Sequence, residues 1–556
     1  MSVNVLPPGK TYEEVCARFQ WQVPEQFNIA TAICDRHADD PARVAMIYET
    51  EAGQVSEHSF AEFRARSNQL AHALRRLGVA RGDRVSIVMS QRPETATAHL
   101  AIYKLGAIVL PMAALFGPEA LEYRLRSAGV RVVLTDAMSL DKLLEVQKQL
   151  PALSHLVSAD ATDAAGVLDY AALLAPESEQ FEPVATRAED PALLIFTSGT
   201  TGPPKGALHA HRMMPGRMPS MEFVHQGFPQ PGDRFWTPAD WAWAGGLLDM
   251  LLPSWYHGVT VVACRSRKFD VERAFELMAR HKIRNVFLPA TVLKMMRQHD
   301  EARDEGKPQQ RDVQLRTIHT GGETTGEAVI RWAQTALGAT PHEAFGQTEA
   351  VMIIGNCVDL MPIKPGSLGR PIPGHEIALL DDQGQPVPDG AIGEIALKRP
   401  VPGMFLRYWN DEAATRDKFF GDWLLTGDLA TQDADGYLWY TGRKDDVISS
   451  GAYRIGPGEI EACLTGHPAV ERAAAVGSPD PIRGEVVKAF VQLHAGVTPS
   501  PELAAELQAH VRNRLSAHEY PREIEFVDAV PVTTTGKVMR KELRQIERAR
   551  KLGKSA

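Results

Sequence analysis

The chain has 556 residues, more than the roughly 250 to 300 residues at which one hydrophobic core stops growing, so we expect at least two domains. Hydrophobic residues make up 44% of the sequence and charged residues 23%, a balance that excludes a disordered chain. The formal net charge of -9 excludes a generally basic surface, so nucleic acid is not an expected partner.

Cysteine usage and the terminal sequence bear on the compartment. The five cysteines are odd in number and scattered, which predicts reduced thiols and neither a zinc site nor a redox motif. The start, "MSVNVLPPGKTYEEV", lacks a basic segment followed by an apolar one, and the richest apolar stretch is interrupted by Asp249, Pro253 and His257. We therefore expect a cytoplasmic protein with no integral membrane segment. The oligomeric state stays open.

In chain order, the first predicted elements alternate between strand and helix. "RVSIVM" is typical of a buried strand, "ETATAHLAIYKLG" of a helix, and "AIVLPM" and "VRVVLTD" of two further strands. The same rhythm returns at "PALLIFTSG", "GVTVVAC" and "IRNVFLPA". Strands joined by crossover helices form parallel sheets, so residues from about 30 to 370 are predicted to form one large α/β body.

The second half of the chain has a different texture. Residues 371–444 contain short β-prone runs separated by Gly, Pro and Asp turns, which predicts a small β-rich subdomain. Residues 445–556 return to shorter strand and helix signals, ending in a basic helix. The predicted division is a large N-terminal domain, 1–444, and a smaller C-terminal α+β domain, 445–556.

The stretch "LIFTSGTTGPPKG" leads from a buried strand into a loop of hydroxyls and glycines around one lysine. Glycines let backbone N–H groups face an anion, hydroxyls add donors, and lysine adds charge, so a phosphate site is one interpretation and a flexible linker is the other. Lys205 is preceded by prolines and followed by glycine, which does not match the Walker pattern. The candidate phosphate residues are Thr197, Ser198, Gly199, Thr200, Thr201, Gly202 and Lys205.

Two further stretches end predicted strands in polar residues. "IHTGGETTG" carries Gly321, Gly322 and Glu323, where paired glycines allow either close approach to a flat ring or only a tight turn. "HEAFGQTEA" carries Thr348 and Glu349, a hydroxyl beside a carboxylate, which suits Mg²⁺ held against phosphate oxygens.

The last two candidate stretches follow in the second half. Asp428, on a turn in "TGDLA", could accept hydrogen bonds from ribose hydroxyls or could simply form the turn, and Arg443 follows in "GRKDD". Lys537 extends from "VTTTGK" ahead of a helix. A surface lysine is usually solvated, but one on a Thr/Gly loop at a helix start can stabilise developing negative charge.

With these five stretches in order, the chain resembles the adenylate-forming superfamily of acyl-CoA synthetases, firefly luciferases and peptide-synthetase adenylation domains. "TSGTTGPPKG", "FGQTEA", "TGDLA", "GRKDDVI" and "TTTGK" match motifs of that family along nearly the whole chain. "WQVPEQFNIA", "WTPADWAWAGG", "YRIGPGEIE" and "DPIRGEVVKAFV" are most similar to the medium-chain acyl-CoA synthetases.

The resemblance implies two half-reactions with ATP, Mg²⁺ and coenzyme A. A carboxylic acid attacks the α-phosphate of ATP to give acyl-AMP and pyrophosphate, and the coenzyme thiol then displaces AMP. By the same resemblance, residues 197–205 hold the β- and γ-phosphates, Thr348 contacts the α-phosphate, Glu349 binds magnesium, and Asp428 with Arg443 holds the ribose. The residues implied to enclose adenine are Gly321, Gly322, Glu323, Glu343, Ala344 and Phe345, and Gly346 and Gln347 are also implied to bind ATP.

For the second domain, the resemblance implies that Lys537 bridges the reacting carboxylate and the α-phosphate. Asp445 matches the family's hinge, about which the small domain would rotate to bring "SSGAYRI" to the site. Arg454 would lie near the AMP phosphate. The residues implied to bind coenzyme A are Gly451, Ala452, Tyr453, Arg483 and Arg514.

Several positions bear on the substrates. Relatives usually have Ser-Gly where this chain has Gly451-Ala452, which places a methyl group in the implied coenzyme tunnel, and Phe345 stands where tyrosine is common. Gly346 stands where acetyl-CoA synthetases have a tryptophan, so a deeper acyl pocket is expected, with Trp241 shaping its wall or simply lying in the core. We therefore expect a medium-chain, branched or aromatic acid.

Other functions stay open at this point. An adenylating enzyme could pass the acyl group to a carrier protein or another acceptor, although no fused carrier domain is visible in the sequence. A non-catalytic nucleotide or acyl sensor is disfavoured by the intact Lys537, and a phosphotransferase is disfavoured by the failed Walker match.

Overall fold

The computed structural model of the chain describes residues 4–197, 204–264, 269–303, 311–322, 325–444, 446, 448–450, 453–480, 484–514, 520–533 and 536–551. The chain divides into two compact units. Unit 1 comprises Met1–Glu376 and Lys398–Asp422, and unit 2 comprises Ile377–Leu397 and Trp423–Ala556.

The helices and strands are numbered in chain order. The strands are β1 (Val44–Glu49), β2 (Val55–Ser59), β3 (Arg84–Val88), β4 (Ile108–Pro111), β5 (Val132–Thr135), β6 (His155–Ser158), β7 (Val167–Asp169), β8 (Pro191–Thr197), β9 (Lys205–Ala210), β10 (Arg234–Trp236), β11 (Thr260–Cys264), β12 (Asn285–Phe287), β13 (Thr317–Gly321), β14 (Pro341–Gln347), β15 (Val351–Gly355), β16 (Arg370–Pro371), β17 (Ile377–Leu380), β18 (Gly393–Lys398), β19 (Arg407–Tyr408), β20 (Phe419–Phe420), β21 (Trp423–Gln432), β22 (Leu438–Arg443), β23 (Ile448–Ser450), β24 (Tyr453–Ile455), β25 (Val470–Asp480), β26 (Gly484–Leu493) and β27 (Glu523–Phe526). The α-helices are α1 (Tyr12–Arg18), α2 (Ile29–Ile33), α3 (Phe60–Arg76), α4 (Pro93–Lys104), α5 (Pro118–Ala128), α6 (Leu140–Gln147), α7 (Tyr170–Leu174), α8 (Met213–Val224), α9 (Ala244–Gly246), α10 (Leu252–Tyr256), α11 (Val271–Arg280), α12 (Ala290–Arg303), α13 (Glu327–Ala336), α14 (Glu412–Asp417), α15 (Pro457–Thr465), α16 (Pro501–Arg514) and α17 (Arg540–Lys551). A 3₁₀ helix covers Asp35–His37 and a π-helix covers Leu247–Leu251.

Unit 1 contains two large sheets that are mostly parallel. One has the strand order β19-β9-β8-β4-β3-β5-β6-β7, and the other has the order β16-β15-β14-β13-β12-β10-β11-β1-β2. Strands β3 to β6 pair in parallel, as do β10 to β14, whereas β8/β9 and β14/β15 are antiparallel. The crossover helices bury both faces of such sheets, which explains the continuous apolar runs in the sequence.

Local sequence accounts for individual elements of unit 1. In β8 the run "ALLIF" is buried at every position, as a central strand requires. Helix α11 begins where the side chain of Asp270 accepts a hydrogen bond from the backbone N–H of Arg273 and so caps the first turn. Its apolar face packs into a core that includes Phe275, Met278 and Trp332.

Unit 2 is built on smaller sheets. Strands β17, β18, β21 and β22 belong to one sheet, in which β17/β18 and β21/β22 are antiparallel hydrogen-bonded pairs. A second sheet has the order β24-β23-β26-β25, with β27 parallel to β26. Helices α15 and α16 contribute Ile460, Leu507 and Val511 to the core of this sheet. The predicted α/β class, with a large body of sheets and helices and a smaller C-terminal part, is confirmed. The predicted boundary at residue 445 stays a prediction.

Candidate active site

The two stretches predicted to enclose adenine lie side by side in unit 1. Strands β13 and β14 are parallel neighbours, with Gly321 opposite Ala344, so their carboxyl ends lie at the same edge of the sheet. Ligands in open α/β sheets bind at such edges. A Cβ atom on Gly321 would lie 2.7 Å from the carbonyl oxygen of Ala344, and Gly322 has φ +93°. Glycine is therefore needed here for the close approach of two strands, and this leaves a flat backbone surface beside Ala344.

Glu343 makes contacts that stabilise the same edge of the sheet. Its side chain is buried, and Oε2 accepts a hydrogen bond of 3.1 Å from the backbone N–H of Thr325. Its carbonyl oxygen accepts a second bond of 3.1 Å from Asn356 Nδ2. These contacts tie β14 to the chain that follows β13, so Glu343 holds the edge together.

Phe345 and Gly346 lie at an irregularity between β14 and β15. The register shifts between these two residues, and Phe345 is half-buried while Gly346 is exposed. A Cβ atom on Gly346 would overlap the carbonyl oxygen of Val351 and lie 2.7 Å from Met352 Cα. Any larger residue therefore requires β15 to move, which is a backbone reason for glycine besides the pocket depth expected from the sequence.

Thr348 and Glu349 occupy the turn between β14 and β15, closed by a 3.1 Å bond from Ala350 N to the carbonyl oxygen of Gln347. Thr348 is half-buried, and Glu349 is only 7% exposed. Glu349 Oε1 accepts a hydrogen bond of 2.6 Å from the hydroxyl of Tyr408. A carboxylate is thus held just after β14, the strand that carries the residues predicted to enclose adenine.

The described ends of the loop predicted to bind phosphate, Thr197 and Lys205, face each other on the paired strands β8 and β9. Thr197 pairs with Lys205, and Thr197 Oγ1 donates a 3.4 Å hydrogen bond to the carbonyl oxygen of Lys205. Lys205 Nζ lies 5.5 Å from the ring centroid of Tyr408. Tyr408 therefore contacts both groups, with Lys205 over its ring and the Glu349 carboxylate at its hydroxyl.

Trp241 is buried next to a half-buried carboxyl group, that of Asp240. Trp241 is 1% exposed, and no described residue accepts a hydrogen bond from its Nε1. The neighbouring Asp240 has its pKa raised to about 6, because burial disfavours the carboxylate and because Asp136 adds a like charge. Perturbed carboxyl groups of this kind cluster at functional sites.

In unit 2, the two residues assigned to ribose are directly opposite each other. Asp428 on β21 pairs with Arg443 on β22, and the guanidinium Nη1 lies 3.7 Å from Asp428 Oδ2. The hydroxyl of Tyr440 donates to Asp428 Oδ1 over 3.3 Å. Burial, together with the charge of Asp428, raises the pKa of Tyr440, so the phenol stays protonated and remains a donor.

Lys537 is exposed, and it lies on a loop that hydrogen bonds hold in place. Its backbone N–H donates to Thr533 Oγ1 over 3.1 Å, and its carbonyl oxygen accepts a 2.8 Å bond from Thr533 N. Arg540, at the start of α17, donates to Glu461 Oε1 at 2.7 Å and to Asp446 Oδ2 at 3.2 Å. The loop is therefore fixed at its base while the ammonium group is free to meet solvent or a substrate.

Several predicted residues cannot be placed in the same detail. Arg514 ends α16 and is exposed, and Tyr453 and Arg454 lie on β24, where only the backbone is described. Gln347 ends β14 and is half-buried. The predicted residues that lie outside the described part of the chain are Ser198, Gly199, Thr200, Thr201, Gly202, Glu323, Asp445, Gly451, Ala452 and Arg483.

Three residues that contact or adjoin the candidate residues were not predicted from the sequence: Tyr408, Tyr440 and Asp240. Tyr408 is 59 residues from the glutamate that it contacts, and no spacing connects the two. Tyr440 could have been suspected, because it lies on the strand that carries Arg443. Asp240 stands within the quoted "WTPADWAWAGG", but only burial reveals its raised pKa.

Two kinds of feature, a membrane-spanning helix and a cluster of metal ligands, are absent from the part of the chain that the structure describes. In that part of the chain, no helix is long and apolar enough to cross a membrane. No group of three or more His, Cys, Asp or Glu side chains there could by itself hold a metal ion. A divalent cation at Glu349 would therefore need further ligands from ATP and water, which is how Mg²⁺ is commonly bound beside phosphates.

Comparison with known proteins gives consistent matches. The family profile described as AMP-binding enzyme matches residues 34–409, and that of the AMP-binding enzyme C-terminal domain matches residues 459–537. Acetyl-coenzyme A synthetase of Bacillus subtilis (strain 168) is 34% identical over 553 residues, covering 97% of this chain and 95% of that protein. The human mitochondrial acyl-coenzyme A synthetase ACSM4 is 33% identical, covering 96% and 93%. Among solved structures, the anthranilate CoA ligase AuaEII in complex with anthranoyl-AMP has a TM-score of 0.83 and 29% identity, covering 95% of this chain and 99% of that one.

Proposed function

The chain belongs to the family of AMP-binding enzymes and is an AMP-forming acid-thiol ligase, an acyl-CoA synthetase, and on that premise we propose how its residues divide the reaction and which acid it uses. The proposed acid is medium-chain, branched or aromatic. The proposed metal is Mg²⁺, held by Glu349.

One observation carries the proposal for the metal and the phosphates. The buried Glu349 carboxylate stands at the end of β14, within hydrogen-bond distance of Tyr408, whose ring lies beneath Lys205 of the phosphate hairpin. A carboxylate for a cation and a lysine for phosphate oxygens are the groups that phosphoryl chemistry needs. When bound, Mg²⁺ would neutralise part of the charge on the phosphate oxygens.

In the first half-reaction, an oxygen of the acid forms a bond to the α-phosphorus of ATP, and the bond to the pyrophosphate oxygen breaks. We assign Thr348 to the α-phosphate and Lys205 to the departing pyrophosphate. Lys537 is assigned to the negative charge that develops between the acid and the α-phosphate, a role that its exposed side chain on a braced loop can fill.

In the second half-reaction, the coenzyme sulfur forms a bond to the acyl carbon and AMP leaves with the electron pair of the broken C–O bond. The thiol proton is released to solvent or to the AMP phosphate. Throughout both steps, Asp428 and Arg443 are assigned to the ribose, a role supported by the hydrogen bond from Tyr440 that fixes Asp428.

The proposed acid class is supported by Gly346 and Trp241. Gly346 carries no side chain that could close a pocket beside β14, and the backbone of β15 excludes one. The buried indole N–H of Trp241 has no acceptor among the described residues. A buried unpaired donor costs free energy unless a ligand accepts from it, so the acid or its acyl-AMP could supply that acceptor.

The test is carboxylate-dependent exchange of labelled pyrophosphate into ATP, followed by thioester formation with coenzyme A. The acids run from acetate to dodecanoate and include branched acids and benzoate. We expect exchange with at least one acid of six or more carbons and formation of its thioester only when coenzyme A is added. No exchange with any acid would refute the assignment, and exchange without any thioester would show that the acyl group passes to another acceptor.

A further inference from the structure

Tyr408 has a role that its position in the sequence does not suggest. We propose that Tyr408 is a positioning residue for Glu349: its hydroxyl holds one carboxylate oxygen, so that the other oxygen is directed to a divalent cation. This assignment rests on the proposed function, in which Glu349 binds Mg²⁺. Tyr408 itself is assigned no contact with substrate.

Backbone contacts fix both ends of the hydrogen bond. Tyr408 lies on β19, where it pairs with Ala207 of β9, and its backbone N–H donates to Thr415 Oγ1 over 3.0 Å. On the other side, the carbonyl oxygen of Glu349 accepts a 2.9 Å bond from Phe405 N. The 2.6 Å bond between Tyr408 Oη and Glu349 Oε1 therefore joins two anchored segments and fixes the orientation of the carboxylate.

The Tyr408 hydroxyl engages one of the two oxygens of the carboxylate. Among the residues that the structure describes, it donates to Glu349 Oε1, and Glu349 is buried. Burying a carboxylate costs free energy unless hydrogen bonds or an opposite charge compensate it, and a cation bound at the second oxygen would supply such compensation. The geometry thus suits a carboxylate that offers one oxygen to Mg²⁺ and keeps the other on the protein.

Lys205 interacts electrostatically with the ring of Tyr408. Its ammonium lies over the face of the Tyr408 ring, 5.5 Å from the centroid, and so interacts favourably with the ring's electrons. A cation over the ring draws electron density from the phenol and strengthens its hydroxyl as a donor to Glu349. One aromatic side chain therefore connects the lysine assigned to phosphate with the glutamate assigned to the metal.

The experiment compares Tyr408→Phe with Tyr12→Phe. Both changes remove one hydroxyl from a buried tyrosine of unit 1 that donates a 2.6 Å hydrogen bond, but Tyr12 donates to the carbonyl oxygen of Pro371. The quantity measured is the dissociation constant of Mn²⁺ in the presence of an α,β-methylene analogue of ATP, determined by electron paramagnetic resonance. Thermal unfolding of both variants reports the common structural effect of losing one hydrogen bond.

We expect Tyr408→Phe to raise the Mn²⁺ dissociation constant about 10-fold, the usual effect of losing a group that orients a metal ligand, and Tyr12→Phe to leave it unchanged. In a Glu349→Gln background, Tyr408→Phe should have no further effect on Mn²⁺, because the residue acts through the carboxylate.

An unchanged dissociation constant in Tyr408→Phe, or the same increase with and without the Glu349 carboxylate, would overturn the proposal. The proposed function fails in a different way. A wild-type protein that binds Mn²⁺ with the analogue but supports no pyrophosphate exchange with any acid would refute the reaction, while the Mn²⁺ data would still decide the role of Tyr408.

Discussion

Two candidate site groups, one in each unit, differ in how they are held. In unit 1, Glu349 is buried and fixed by Tyr408, and a set of histidines is fully buried in the sheets. In unit 2, Lys537 is exposed, and the described histidines His467, His494 and His510 are half-buried or exposed. On the proposed roles, the difference separates a preformed site, in which charges are positioned before substrate binds, from a lysine that stays solvated until it acts on developing charge.

Acidification should destabilise unit 1 more than unit 2. Its effect on the free energy of unfolding should be the largest of the effects predicted. Burial, with the nearby cations Arg212 and Arg217, lowers the pKa of His209 to about 3, and burial lowers that of His319 to about 3. These histidines are neutral in the folded protein, but the unfolded chain binds protons below pH 6.5. The neutral histidines therefore make their full contribution to the free energy of unfolding above pH 6.5. This contribution is lost as the pH falls from 6.5 toward 3, by about 2 kcal/mol for each residue at pH 5.

The measurement is urea unfolding at pH 7 and pH 5, with hydrogen exchange corrected for the intrinsic effect of pH. Peptides from β9 and β13 should lose protection at pH 5, while those from β25 and β26 should not. Equal loss of protection in both units would show that the buried histidines do not account for the acid sensitivity.

The second largest effect should come from the exposed lysine. We expect Lys537→Ala to lower pyrophosphate exchange by a factor on the order of 100 or more, because it removes a charge that acts in the transition state. Thioester formation from supplied acyl-AMP should be substantially retained. Lys541→Ala is the matched control, since Lys541 is also exposed and lies on α17 just beyond the loop. Equal loss of both half-reactions would contradict the division of roles.

The smallest of these effects should come from a substitution of Lys205, which belongs to the candidate site in unit 1. Lys205→Ala should slow exchange about 10-fold, because one charge-assisted contact to the departing pyrophosphate is lost while the bond-making groups remain. The check is the rate of exchange at saturating acid and ATP, with Lys205→Arg as the variant that keeps the charge. A loss as large as that of Lys537→Ala would reverse the ranking of the two lysines.

Much of the fold and part of the site could be predicted from local sequence. The apolar runs of β3, β8 and β11 identified buried strands, because a strand covered on both faces must be apolar throughout. The chain positions of Gly321, Asp428 and Lys537 followed from motifs in which neighbouring residues act together. The reason for Gly346 was only partly foreseen, since the approach of β15 that excludes a side chain depends on how the two strands pair.

The sequence by itself determined the family and the α/β class and proposed Lys537 as the reactive lysine, because these depend on short runs of residues and on their order. Tertiary structure alone decided which tyrosine holds Glu349, which histidines are kept neutral, and how Asp240 comes to have a raised pKa. These properties arise from burial and from contacts between segments far apart in the chain. The hydrophobic packing of the sheets brings those segments together, and no local pattern encodes the distance between their side chains.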